Sequence, residues 1–318
     1  MSELTYGEIK RAVDRTAGRV RAVTVTPAEP VDGASGVRAH LALEYLQHTG
    51  CFKARGAVNF LRAYAESGTL PDAGVTIASG GNAGLACAWA ARGTGTRATV
   101  FLPATAPEVK VARLRSYGAE VRLVGTAYAE ALAACEEFAA TTGALASHAY
   151  DNPLIAAGAG TLMEEIHERL PDLDTVVVAV GGGGLFAGVA TAARQHGVRV
   201  VAVEPENSRA LHAAVEAGAV VDVAVASVAA DSLGARRASA AALDAARRDG
   251  VRAVLVPDEE IVRARRLLWD DRRIAVEHGA ATALAALNGG AYRPAPDEKV
   301  CVVLCGANTD PGTLAEEG

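Results

Sequence analysis

Aromatic residues make up only 4% of this 318-residue chain, and they are not interleaved with lysine and arginine. No stacking platform or basic stripe is therefore present, and a net charge of −6 also argues against a nucleic-acid partner. The five cysteines, at positions 51, 87, 135, 301 and 305, include no CxxC pair and make an odd total. That pattern excludes a disulfide framework and points to a reducing, cytoplasmic setting. The seven histidines form no HxxxH or His–Cys cluster, so no metal site is expected. No GxSxG is present, and no Walker lysine follows the glycine runs. The apolar runs are short and broken by glycine, so no segment is long enough to span a membrane. The N-terminal stretch MSELTYGEIKRAVDR reads as an amphipathic helix, without the basic and apolar regions of a secretion signal.

What the chain does have is alternation. Seven β-branched, nearly continuous apolar runs, at 75–79, 98–102, 119–124, 175–180, 198–204, 251–256 and 299–304, are separated by alanine-rich helical stretches. Several of those stretches stop at a glycine. Strands of this kind, buried on both faces, predict an α/β protein with doubly wound, mostly parallel sheets. Ligands in such folds lie at the carboxyl ends of the strands, and the informative motifs all fall there or in loops. Arg236–Arg237 and Arg272–Arg273 read as solvated helix faces.

Three constellations stand out. The run TVVVAV leads into Gly181, Gly182, Gly183 and Gly184, and then into a helix beginning at Leu185. Glycines let a ligand approach the backbone, and a helix start offers free N–H groups, so this loop suits a phosphate. The same loop satisfies GxGxxG/A through Gly182, Gly184 and Ala187, with Glu204 ending the next strand. That is the nicotinamide-dinucleotide alternative, and it leaves the other motifs without a task. The second constellation, Ser79-Gly80-Gly81-Asn82-Ala83-Gly84, repeats the strand–loop–helix pattern and can offer N–H groups to a carboxylate. The third is Cys305, at the end of an apolar strand and before Gly306-Ala307-Asn308. A lone cysteine there is ordinarily a small buried hydrophobe. Asp231 and Glu277 read as loop acids, solvated or capping.

In order along the chain, these residues resemble the fold-type II pyridoxal-phosphate enzymes, and most closely the serine/threonine dehydratases. The family's lysine motif is similar to Thr49-Gly50-Cys51-Phe52-Lys53-Ala54-Arg55-Gly56. The SGGNAG loop is Ser79 to Gly84, the GGGGL cup is Gly181 to Leu185, and the C-terminal loop is Cys305 to Asn308. The resemblance covers roughly residues 20 to 312. It implies a two-lobed, tryptophan-synthase-β-like fold, with a small lobe at 72–146 and a large lobe made of 1–71 and 147–318. It implies that Lys53 carries pyridoxal 5'-phosphate as a Schiff base and, once freed, takes the Cα proton of the substrate. Phe52 would pack on the ring and Asn82 would reach its O3′ oxygen. Gly181, Gly182, Gly183, Gly184 and Leu185 would hold the phosphate, and Cys305 would face the ring nitrogen. Ser79, Gly80, Gly81, Asn82 and Ala83 would surround the substrate carboxylate. A neutral thiol at Cys305 would leave the ring nitrogen largely unprotonated, which favours prompt β-elimination over long-lived carbanions.

The implied reaction is dehydration and deamination of L-threonine or L-serine, in a small-molecule enzyme working as a homodimer. The alternatives are a bulkier β-hydroxy amino acid or β-replacement, although the replacement enzymes show a different lysine context from Lys-Ala-Arg-Gly. Four departures qualify the resemblance. Cys51 stands where the dehydratases usually have serine. Gly80 stands where racemases carry their opposite-face acid. Ala210, downstream of Glu204-Pro205, cannot serve the family's cation site. The chain ends soon after the Cys305 loop, so no regulatory domain is expected.

Overall fold

The computed structural model describes residues 4–31 and 36–316. Among the described residues, ten strands form two sheets. They are β1 Glu29–Pro30, β2 Arg38–Ala42, β3 Val75–Ala78, β4 Ala98–Leu102, β5 Glu120–Leu123, β6 Leu145–Ala146, β7 Thr175–Ala179, β8 Arg199–Pro205, β9 Val251–Val256 and β10 Val300–Val303. The larger sheet has the order β1-β2-β10-β7-β8-β9, and the smaller has β5-β4-β3-β6. Every pairing is parallel except β1 with β2, which is antiparallel.

The strand chemistry explains the layering. All five residues of β7 are buried, as are all four of β3 and of β10. β-Branched side chains suit a pleated strand covered on both faces. The helices Pro153–Arg169 and Gly184–Gln195 pack on one another, as do Asp258–Arg272 and His278–Asn288, and each pair reaches the central strands β7 and β8 or their neighbours. One core fills the larger sheet and its helices. A second core lies around β3 and β4 and takes in Ala57, Val58, Phe60 and Leu61 of the helix Lys53–Glu66. That helix therefore touches the apolar core of the smaller sheet while its first turn faces the strand ends.

Local signals set several boundaries. Asn152 caps the helix Pro153–Arg169 by accepting from the N–H groups of Leu154 and Ile155 at 2.9 and 3.4 Å, and Pro153 supplies a pre-set first φ. The helix Tyr128–Thr142 ends at Gly143, whose φ of 73° is the left-handed conformation of a C-terminal stop. The arginine tracts depart from the helix-face expectation. Arg236–Arg237 lies in a loop, where Arg237 pairs with Asp222 at 2.8 Å. Arg273 is the left-handed residue that ends its helix, and Arg272 is mostly covered. All five cysteines are buried and unpaired. Among the described residues no helix is long and apolar enough to cross a membrane.

Candidate active site

Lys53 opens its helix from a strained approach. Thr49 has φ 65° and Gly50 has φ 76°, so the chain turns through the left-handed region just before the lysine. The turn is stitched to the end of β10. Phe52 N–H donates to Cys305 O at 3.0 Å, Ala307 N–H donates to Gly50 O at 2.9 Å, and Cys51 bridges Gly306. The lysine motif and the C-terminal loop, some 250 residues apart in sequence, are thus one backbone unit.

The helix is held in place by Arg55, which is fully buried. Its guanidinium meets Glu44 at 2.7 and 3.0 Å and Glu165 at 2.7 and 2.9 Å, and it also donates to Thr161 Oγ1 at 3.1 Å. This two-carboxylate clamp anchors the turn that follows Lys53, with the fork geometry that only arginine offers.

Lys53 Nζ donates to Ala149 O at 3.0 Å and lies 4.9 Å from the centre of the Phe52 ring. Burial lowers its pKa, against the opposing influence of Cys51, Cys305 and Glu277. The two thiols stay neutral. Burial pushes Cys51 up to about 12 and raises Cys305 well above its ordinary value.

Two loops contribute unused backbone donors. Among the described residues, no N–H of Gly181–Leu185 donates to a protein acceptor, and the same holds for Gly80–Ala83. Both loops start helices, Gly184–Gln195 and Asn82–Gly93. Gly183 has φ 92°, which explains why the cup needs glycine there. The ring of Tyr150 lies directly against Gly182, leaving no room for a side chain at that position, and its hydroxyl donates to Arg237 O at 3.0 Å. Ala149 and Tyr150 thereby join Lys53 to the glycine cup. Tyr150 has no recognisable motif around it, so only the fold reveals its place. At Gly80 a Cβ would lie 2.9 Å from Leu102 Cδ2, so Leu102 occupies the space of a side chain there.

The expectation for Glu277 is corrected. It precedes the helix His278–Asn288 but makes no side-chain capping bond, and it is 7% exposed. Its two carboxylate oxygens accept from Asn82 Nδ2, each at 3.0 Å. Asp231 does stay solvated, paired with Lys110 at 3.0 Å. Glu204 also proves committed, because its oxygens accept from Leu211 N–H at 2.7 Å and His212 N–H at 2.8 Å. The carboxylate that would bind a ribose in the nicotinamide alternative is spent on capping a helix.

A cleft of about 490 Å³ opens beside Gly80, Gly81 and Asn82, with Glu277 and Asn308 in its wall. Leu85, Val109 and Val228 give it an apolar side.

Residues 20–306 match the family described as pyridoxal-phosphate dependent enzyme, and the chain belongs to that family. It is 36% identical over 315 residues to an L-threonine ammonia-lyase of Geobacter sulfurreducens, covering 98% of this chain and 77% of that protein. It is 38% identical over 292 residues to a phenylserine dehydratase of Ralstonia pickettii, covering 91% and 88% respectively. Its fold superposes on maize serine racemase with a TM-score of 0.90, at 28% identity, over 99% of this chain and 97% of that one. The cofactor of the family, pyridoxal 5'-phosphate, matches the chemistry of the site. A partly desolvated amine, a helix start with free N–H groups and a neutral thiol stand at neighbouring strand ends.

Proposed function

We propose that this chain removes water from a β-hydroxy amino acid, L-threonine or L-serine, and releases a 2-oxo acid and ammonia. The observation that carries the reading is the buried, pKa-lowered amine of Lys53 beside two loops of unused N–H groups. The names of the dehydratase and ammonia-lyase relatives support it. Bound pyridoxal 5'-phosphate supplies an electron sink for the carbon that loses its proton. In this reading Lys53 holds the cofactor and Phe52 packs against its ring. Gly181, Gly182, Gly183, Gly184 and Leu185 bind its phosphate through backbone N–H groups, which the positive end of the helix reinforces. Cys305, as a neutral thiol, faces the ring nitrogen without donating a charge to it.

Ser79, Gly80, Gly81, Asn82 and Ala83 hold the substrate carboxylate. The lysine amine, whose proton affinity burial lowers, takes the Cα proton. The Cβ–O bond breaks, the hydroxyl leaves as water with the proton that Lys53 took from Cα, and the enamine product hydrolyses to the 2-oxo acid and ammonia. Residues 72–146 act as a small lobe that closes on the carboxylate. Gly80 itself brings no acid to that face of the loop, and Leu102 Cδ2 fills the space beside it, which supports elimination over racemisation. The reading includes a homodimer in the cytoplasm, which sedimentation equilibrium tests for assembly.

A second reading has its own support. The apolar wall of Leu85, Val109 and Val228 suits a larger β-substituent, as does the phenylserine dehydratase relative. Coupled assay of 2-oxo acid release from L-threonine, L-serine and L-threo-phenylserine separates the two. The first reading expects the highest kcat/KM on threonine or serine. A higher value on phenylserine selects the second, and no 2-oxo acid from any of the three rejects both.

A further inference from the structure

Glu277 belongs to none of the motifs that define the site, yet the structure makes room for it at some cost. Its carboxylate is nearly removed from water, and a buried carboxylate is stable only with firm partners. Gly306 lies beneath it with no side chain, and a Cβ there would come 2.5 Å from Glu277 Oε1. The glycine of the C-terminal loop is therefore a requirement set by Glu277.

The hydrogen bonds around it have one polarity. Asn308 Nδ2 donates to Thr49 O at 2.7 Å and to Asn82 Oδ1 at 2.6 Å. Asn82 Oδ1 is thus an acceptor, which turns Asn82 Nδ2 toward Glu277. A flipped Asn82 would set NH₂ against NH₂ on one side and oxygen against carboxylate on the other. Asn82 Nδ2 lies 3.0 Å from both oxygens of Glu277. An amide nitrogen carries two N–H donors, so one N–H shared between the two oxygens leaves the second for the cleft.

We propose that Glu277 is the positioning residue of this site: its carboxylate, acting through Asn82, fixes the amide in the one orientation that presents an N–H to the ring oxygen of the cofactor. Uptake of one proton by Glu277 weakens that hold, so the environment of the cofactor is coupled to a single ionisation. The inference rests on the cofactor placement given under Proposed function.

The surroundings set the sign. Lys53, on its own helix, favours the ionised carboxylate, while Asp231, from the Ala230–Leu233 turn, opposes it. Cys51 and Cys305 face it as neutral thiols, and His278 adjoins it on the following helix. Burial outweighs the rest and pushes the carboxyl up to about 7. Glu277 is accordingly protonated below that pH and ionised above it.

The test is a pH titration of the near-visible absorbance of the holoprotein, together with the affinity of the apoprotein for pyridoxal 5'-phosphate. Wild-type absorbance is expected to change with a single midpoint above the ordinary carboxylate range. Glu277→Gln should abolish that midpoint and weaken cofactor binding roughly 10-fold at pH 8, the scale of a hydrogen bond to a charged group. Asn308→Ala, which frees the other end of the Asn82 amide, should weaken binding in the same direction if Glu277→Gln does not fold. A holoprotein that titrates and binds identically in wild type and Glu277→Gln overturns the proposal and leaves the cofactor placement standing. So does a variant that loses only thermal stability. Wild-type protein that takes up no pyridoxal 5'-phosphate overturns the placement and this inference together.

Discussion

Replacing Lys53 with alanine is expected to lower turnover of β-hydroxy amino acids by about three orders of magnitude or more, with the fold intact. The side chain points at Ala149 O and the Phe52 ring, and it takes part in no ion pair that holds elements together. Its loss therefore removes the amine without opening the core. Circular dichroism and urea melting should match wild type, while 2-oxo acid release falls to background. Retention of even a tenth of the activity would mean that another group takes the proton. No other lysine is placed to do so by the local chemistry: Lys110 is exposed and paired with Asp231 across the mouth of the cleft.

The second large effect is on stability. Arg55→Met should destabilise the chain by about 3–5 kcal/mol, because it leaves buried carboxylates without their countercharge. Glu44 is 1% exposed and Glu165 is 22% exposed, so neither can recover full hydration when the guanidinium is gone. Even with its partners present, burial already pushes Glu44 above its ordinary pKa. Urea denaturation measures the effect. Adding Glu44→Gln to Arg55→Met should recover part of the loss, since one stranded charge is then removed. A cost below about 1 kcal/mol would place the network in the range of surface ion pairs and contradict its anchoring role.

The legibility of the fold followed the length and burial of its elements. The seven long strands lie within a residue or two of their sequence boundaries, because runs such as TVVVA carry their burial in composition alone. β1, β2 and β6 were missed. Two of them are two residues long, and β2, RAHLA, carries an arginine and a histidine. Its strand character comes from pairing with β10, a partner some 260 residues away.

The candidate site divided along the same line. Lys53, the SGGNAG loop, the glycine cup and Cys305 are local patterns whose chemistry can be read in place. Glu277 and Tyr150 are not. Glu277 becomes meaningful only when Asn82, Gly306 and Asn308 converge on it, and Tyr150 only when its ring covers Gly182. In the sequence Glu277 reads as a solvated or capping acid before an alanine-rich helix, and only the structure shows that its side chain makes no cap.

The central claim is that pyridoxal 5'-phosphate is held on Lys53. Borohydride reduction of the holoprotein, followed by digestion and mass spectrometry of the peptides, tests it most directly. The account predicts a single modified peptide, carrying the reduced pyridoxyl phosphate on Lys53, and none in the Lys53→Ala protein. Modification of a different lysine, or no modified peptide after incubation with the cofactor, would contradict it.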